Sequence, residues 1–276
     1  MTNPAQSSER QQQVKLGFEL AAAGYDIPAL RFLPACAKRL VEFALVESRQ
    51  KVVDIATGTG TAAITAARIV GAQGLVVGID LAQGMLEQAQ QKIEAVGLTN
   101  IELRQEDAQQ LSFDDNSFDT VICASGIFFL PDMLTGLREW QRVIQPGGLV
   151  AFSSFLETAF QPMAEIFKAQ IETYDVVFPS GSGRLNTPEK CLNLMQEAGF
   201  ENIEMQTEQL GYYLGSLDEW WELVWNAGFR ISLSQIPVEK LEQFQTEHLA
   251  QIESLMTDRG IWLDVETIFV RGRKPL

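Results

Sequence analysis

Histidine, cysteine and basic side chains are the scarce residues of this 276-residue chain. The three cysteines, Cys36, Cys123 and Cys191, are odd in number, far apart and never spaced CxxC. Neither a disulfide framework nor a zinc site follows from them, and no metal is expected. Cys123 sits inside an apolar strand pattern and reads as core. Lysine and arginine total 21 against 36 acidic residues, a net charge of −15. A phosphate-tracking face needs clustered cations, so nucleic acid is not expected as a partner. No apolar run reaches the roughly 18 residues of a spanning helix, so no integral membrane association is expected. The N-terminal MTNPAQSSERQQQ lacks the apolar core of a signal peptide, and the expected location is the cytoplasm. Hydrophobic residues still make up 46%, enough for a sizeable core.

The stretch KVVDIATGTGTAAITAARIV, residues 51–70, organises what is present. Lys51 to Ala56 is a short β-branched run suited to a strand buried on both faces. Gly58 and Gly60 break it, and Thr61 to Val70 resumes at helical spacing, with Ala63 in the third glycine position. Strand, glycine turn and helix open a nucleotide-binding βαβ unit, the glycines letting backbone approach a ligand closely. The next apolar run, LVVGID, stops on Asp80, where a carboxylate can accept from both hydroxyls of a ribose. To this point a nicotinamide, a flavin and S-adenosylmethionine fit equally.

Along the chain, residues 1–13 read as a disordered tail, Val14 to Ala23 as helical, and Leu30 to Ser48 as an amphipathic helix. These elements precede the nucleotide-binding unit and are expected to lie across its ligand edge as a lid. Phe18 and Tyr25 are the residues there able to touch a ligand, with core packing the alternative role for each. Ala82 to Val96 is a helix stopped by Gly97, and Ile101 to Arg104 is a third strand. Asp107-Ala108 then falls at the sheet's carboxyl edge, where an acid can accept from an adenine amino group.

Three blocks, VVDIATGTG, the DAxxLxF…FDxV segment of Asp107 to Val121, and VIQPGGLVAFSSF at 143–155, together carry a resemblance. The chain resembles the class I S-adenosylmethionine-dependent methyltransferases, in the branch of the ubiquinone/menaquinone-biosynthesis enzymes. That resemblance implies an α/β Rossmann-like fold. Its twisted, mostly parallel seven-stranded sheet carries an antiparallel last strand, helices on both faces and a helical lid. It implies S-adenosylmethionine as cofactor, S-adenosylhomocysteine as product and a small-molecule methyl acceptor. It further implies roles. Ala56, Thr57, Gly58 and Gly60 would face the amino-acid end of the cofactor, with Asp54 holding its ammonium group. Asp80 would bind the ribose diol, Leu81 and Met85 would pack near the adenine, and Asp107 and Ala108 would clamp its rim. Ser125 would contact the methionine part, and Tyr25 would close over the site. Ordinary helix packing is the alternative for Met85, and the family usually has Cys or Gly where Thr57 stands.

The catalytic base is the thin point. The segment GIFFLPD after the fourth strand offers Phe128 and Phe129 as acceptor contacts, and Asp132 as either a base or a helix N-cap. His248 reads as a solvated residue on an exposed helix and is the other candidate base. Segments 156–187 and 214–258 fall outside the strand–helix alternation and are the natural caps over the acceptor. In the second, Trp221 and Trp225 share a helix face. They either anchor the cap to the core or form an apolar wall for an aromatic acceptor. Residues 259–276 read as the antiparallel edge strand. No repeat or long linker divides the chain, so one domain over 1–276 is expected, with the cofactor half at 49–155. The expected reaction is methylation of a small apolar or aromatic metabolite, on oxygen first and on carbon or nitrogen next. A non-catalytic S-adenosylmethionine-binding module and a nicotinamide-dependent oxidoreductase are the alternatives.

Overall fold

The computed structural model describes residues 4–176, 178 and 182–276. Two helices come first, Pro4–Ala21 (α1) and Phe32–Phe43 (α2). The alternation then runs Lys51–Ile55 (β1), Thr61–Val70 (α3), Leu75–Asp80 (β2), Gln83–Val96 (α4), Ile101–Gln105 (β3), Phe118–Cys123 (β4), Met133–Val143 (α5) and Ile144–Phe155 (β5). The second part holds Met163–Glu172 (α6), Pro188–Glu197 (α7), Glu201–Gln209 (β6), Tyr212–Leu214 (β7), Leu217–Asn226 (α8), Arg230–Leu233 (α9), Val238–Ile252 (α10), Ile261–Leu263 (β8) and Glu266–Arg273 (β9).

Continuous apolar runs form the central strands because both sheet faces are covered. Val53, Ile55, Val77 and Ile79 enter one core cluster, while their neighbours Val52 and Val76 enter another. The second cluster is roofed by α2 and α3 through Leu40, Val41, Ala63 and Ala67, and α5 covers the first through Leu137 and Trp140. The seven strands order as β3-β2-β1-β4-β5-β9-β6. Strands β1 to β5 pair in parallel, and β9 runs antiparallel to both β5 and β6. The order reverses between β1 and β4, which opens a crevice at the carboxyl ends of those strands.

Two expectations are corrected. The tail assigned to residues 1–13 is helical from Pro4, continuous with the helix expected at Val14; residues 1–3 lie outside the described residues. The segment 259–276 is not an edge strand. Ile261–Leu263 pairs with β7 in a separate two-stranded sheet, and Glu266–Arg273 lies inside the main sheet, leaving β6 at the edge. Of the cap segment expected at 156–187, residues 177 and 179–181 lie outside the described residues. The helix stop expected at Gly97 holds. Gly97 ends α4 in the left-handed region, and Thr187 caps α7 by accepting from the Lys190 N–H, with Pro188 at the first helical position. No described helix is long and apolar enough to cross a membrane.

Candidate active site

The loops that follow β1, β2, β3 and β4 converge at the crevice. After β1, Ala56, Gly58 and Gly60 all take positive φ, at 52°, 55° and 80°. An alanine there is strained, and the glycines are the residues that tolerate such a turn. A side chain at Gly58 would have only the Tyr25 ring within 4 Å, at 3.8 Å, so the loop leaves open space where a ligand's polar end can reach backbone. Ser125, just beyond β4, also has positive φ (54°). It is held there because its N–H donates to Ser153 Oγ at 2.9 Å, while Cys36 Sγ lies 3.3 Å from its hydroxyl. Strain kept by such supports marks a functional position more often than a neutral one. Gly126 completes the pinch, since a Cβ there would stand 2.7 Å from that of Ala56.

Two carboxylates face this region, Asp54 buried and Asp80 half-buried. Asp80 accepts from the N–H of Gly58 at 2.9 Å and of Ala82 at 2.9 Å, fixing the glycine loop to the end of β2. Burial raises its pKa above the usual carboxylate range. Asp54 is 0% exposed. One oxygen accepts from Thr57 Oγ at 2.6 Å, and the other, Oδ1, has no hydrogen-bond partner among the described residues. Burial pushes this carboxyl up to about 7, against the opposing hydrogen bond from Thr57. An orphaned oxygen on a buried acid is costly unless a cation completes it. Asp107 accepts from Gln109 N–H at 2.9 Å and from Gln11 Nε2, on α1, at 2.6 Å. Trp140 Nε1 donates to the Ala108 carbonyl at 2.9 Å and holds that loop from beneath.

Three connected hollows result. The first, of about 780 Å³ with its mouth, is bordered by Gly58, Asp80, Leu81, Met85, Asp107 and Ala108. The second, of about 480 Å³, continues under the glycine loop past Asp54, Thr57 and Thr59. The third, of about 840 Å³, is walled by aromatic rings, Phe128, Phe129, Phe155, Phe160 and Phe229 among them. Tyr25 and Ser125 border all three.

Helix α1 roofs two of the hollows. Val14 and Phe18 border the first and third, and the Phe18 ring packs edge-on against Phe129 at 5.0 Å. The roof is latched by Glu19, whose carboxylate accepts from the N–H groups of Gln83 and Gly84 at 2.7 Å each. Ala82, at the N-cap of α4, has no side chain for this task, so the lid supplies it. Asp26 accepts from Thr59 Oγ at 3.0 Å and Lys92 Nζ at 2.9 Å, tying the turn that carries Tyr25 to the glycine loop.

The sequence-predicted residues sort accordingly. Asp54, Ala56, Thr57, Gly58, Asp80, Leu81, Met85, Asp107, Ala108, Ser125 and Tyr25 border the first or second hollow, and Phe128 and Phe129 the third. Gly60 borders none and serves as the left-handed start of α3. Trp221 and Trp225 border none of the three. Their rings pack at a tilt of 34° with centroids 5.9 Å apart, Trp221 leans on Phe244, and the Arg230 guanidinium covers Trp225 at 3.4 Å, so they anchor the cap. The wall expected of them is built instead by Leu223, Ala227 and Phe229.

His248 is not solvated surface; it is 0% exposed. Its Nε2 accepts from Trp220 Nε1 at 2.9 Å, so Nδ1 carries the proton and donates to Gln170 Oε1 at 3.0 Å. Burial lowers its pKa to about 4. It is a neutral strut between α6, α8 and α10, and borders no hollow. Asp132 caps α5, accepting from Leu134 N–H at 3.0 Å and Thr135 N–H at 3.1 Å. Partial burial would raise its pKa, but those N–H groups outweigh it and the net shift is downward. Sequence reasoning missed Gln11, Val14, Arg10 and Ser232, which border the hollows from α1 and α9. The i, i+4, i+8 stripe of Arg10, Val14 and Phe18 on a polar helix is the signal that could have found three of the site's walls.

Comparison with known proteins agrees with this geometry. Residues 35–213 match the ubiE/COQ5 methyltransferase family. The chain is 34% identical over 167 residues to the aklanonic acid methyltransferase DauC of Streptomyces sp. strain C5, covering 57% of this chain and 76% of that protein. It is 32% identical over 188 residues to the demethylmenaquinone methyltransferase of Staphylococcus carnosus, covering 62% and 76% respectively. The fold is shared with YcgJ of Bacillus subtilis at a TM-score of 0.60 and 17% identity, over 88% of this chain and 99% of that one. The glycine loop, the acids at the ends of β1 and β2 and this match over most of the chain lead to one conclusion: the chain belongs to the ubiE/COQ5 methyltransferase family and is an S-adenosylmethionine-dependent methyltransferase of small molecules.

Proposed function

We propose that the aromatic hollow takes the acceptor, a sizeable apolar or aromatic metabolite, and that the other two hold the cofactor. The observation that carries this reading is the shared border: Tyr25 and Ser125 touch all three hollows, so acceptor and cofactor ends can meet there. When bound, S-adenosylmethionine supplies a methyl group already activated by its sulfonium. The orphaned Oδ1 of Asp54 fits the cofactor's ammonium group, and the positive-φ backbone at Gly58 fits its carboxylate end. Asp80, pinned by two backbone N–H groups, keeps further lone pairs for a ribose diol. Asp107 and Ala108 suit the adenine rim, with Leu81 and Met85 as apolar contacts.

The protein's own contribution is positioning and exclusion of water. Fixing two reactants in attack geometry is worth several kcal/mol, and the α1 roof, latched by Glu19, covers the place where they meet. Among the described residues, no Asp, Glu, His, Lys or Cys borders the acceptor hollow. The titratable side chain there besides Arg10 is the Tyr25 phenol, and burial makes it hold its own proton more tightly rather than take one from the nucleophile. The acceptor atom is therefore one that is nucleophilic as it arrives, an ionised oxygen first and an activated carbon next. The two relatives act, by their names, on aklanonic acid and demethylmenaquinone, which supports an extended cyclic acceptor. The family match ends at residue 213, whereas α8 and α9, which line the acceptor hollow, lie beyond it. That supports this segment as the part tuned to one acceptor.

The test is turnover. The purified chain with unlabelled S-adenosylmethionine is offered a panel of polycyclic aromatic hydroxy acids and quinols, and products are read by mass. A gain of 14 mass units, abolished by filling the hollow with Ala227→Trp while S-adenosylhomocysteine affinity stays unchanged, supports the reading. Loss of cofactor affinity in that variant, with acceptor turnover intact, overturns it.

A further inference from the structure

The acceptor hollow is not uniformly apolar. Among its borders, Arg10 is the one cation. It lies on α1 one turn before Val14 and two before Phe18, so all three present the same helical stripe to the hollow. Arg10 pairs with no carboxylate among the described residues, and its buried Nε–H has no acceptor. Ser232, on α9, borders the same hollow. It is 1% exposed, and its hydroxyl also lacks a hydrogen-bond partner among the described residues. Two unpartnered polar groups in one aromatic hollow are expensive unless a ligand completes them.

The charge around them points to the sign of that ligand. Arg184 donates to the carbonyls of Leu130 and Pro131, on the segment that carries Phe128 and Phe129, and lies within electrostatic reach of Arg10. Two guanidinium groups against one nearby carboxylate, Asp132 beside Arg184, leave a local positive excess in a chain of net charge −15. A planar, always charged fork that shares its hollow with a hydroxyl donor matches an oxyanion, above all a carboxylate.

We propose that Arg10 and Ser232 form an anion-recognition subsite of the acceptor hollow, which selects aromatic acceptors carrying an ionised oxygen. The proposal rests on the assignment of that hollow to the acceptor. Arg10 and Ser232 border the acceptor hollow alone, whereas Tyr25 and Ser125 border the cofactor side as well. The anchored oxygen is therefore a recognition handle, and the methylated atom lies elsewhere on the acceptor, toward Tyr25 and Ser125. No proton transfer or bond change occurs at the subsite.

The test uses the full chain saturated with S-adenosylhomocysteine and two fluorescent probes of equal shape, anthracene-2-carboxylate and anthracene-2-carboxamide. We expect the carboxylate to bind about tenfold more tightly or better, the scale of a hydrogen bond to a charged group. Arg10→Met should remove that preference by weakening the carboxylate alone, Arg10→Lys should keep part of it, and Ser232→Ala should weaken the carboxylate a few-fold. Each variant is checked for an unchanged melting temperature and cofactor affinity. Equal binding of the two probes to the parent, or equal loss of both in Arg10→Met, overturns the subsite while leaving the aromatic hollow as the acceptor site. If neither probe binds, the assignment of the hollow fails, and the subsite with it.

Discussion

Asp54 couples cofactor binding to pH. Its carboxyl is wholly buried with Oδ1 unpartnered, and burial holds its pKa at about 7 without ligand. A ligand ammonium at that oxygen favours the carboxylate, so below pH 7 binding must expel a proton. The sign follows: affinity falls as pH drops below about 7 and is level above it. A fall in its pKa of about two units on binding corresponds to about 2.7 kcal/mol. Between pH 7.5 and pH 5 the dissociation constant of S-adenosylhomocysteine should then rise on the order of fiftyfold. The assay is calorimetric titration at pH 5, 6, 7 and 7.5 in two buffers of different ionisation enthalpy, which also counts the proton released. Asp54→Asn keeps an acceptor for Thr57 and removes the titration, so its affinity should be weaker at pH 7.5 and nearly flat with pH. PH-independent affinity in the parent, or an equal slope in Asp54→Asn, would refute the assignment of Asp54 to the ammonium group.

Other perturbations separate the lid, the core and the cap. Glu19→Ala removes both hydrogen bonds that latch α1 onto the start of α4. A lost cap costs about 1–2 kcal/mol, so S-adenosylhomocysteine should bind roughly tenfold more weakly and amide exchange along α1 should speed up; unchanged exchange would count against the latch. His248 is neutral when folded, with its pKa lowered to about 4, and about 6.5 when unfolded. Unfolding therefore takes up a proton below about pH 6.5, and this group removes stability as pH falls toward 4. Relative to His248→Gln, the parent should lose about 2 kcal/mol of urea stability between pH 7 and pH 5, whereas a catalytic His248 would instead show as loss of turnover at pH 7. Trp221→Ala should lower stability by about 2 kcal/mol and leave the acceptor KM unchanged, since Trp221 packs on Phe244 and Trp225 outside the hollow.

The parts of the site that could be read from sequence are those set by local chemistry. Gly58 and Gly60 mark a turn that needs positive φ, and Asp80 ends an apolar run, so strand, loop and carboxylate are all adjacent in the chain. The rest depends on packing across long separations. His248 is buried because Gln170 and Trp220 meet it from 78 and 28 residues away, which no local pattern states. The spacing of Trp221 and Trp225 shows that they share a face, not which neighbour that face meets. The N-terminal segment reads as a polar tail because it is rich in glutamine and serine and has a sparse apolar stripe. It is helical because Val14 and Phe18 cover the hollows and Glu19 caps α4. Strand β9 is interior because β6 pairs beyond it, a matter of sheet order invisible in a single strand's sequence.

The most direct test of the two-part site is a crystal structure of the chain with S-adenosylhomocysteine bound. The ligand should lie with its ribose hydroxyls on Asp80, its ammonium on Asp54 and its adenine along Asp107 and Ala108. Its sulfur should point past Tyr25 and Ser125 toward the ring of phenylalanines. A ligand seated in the aromatic hollow, or one whose sulfur faces away from Ser125, would contradict the account.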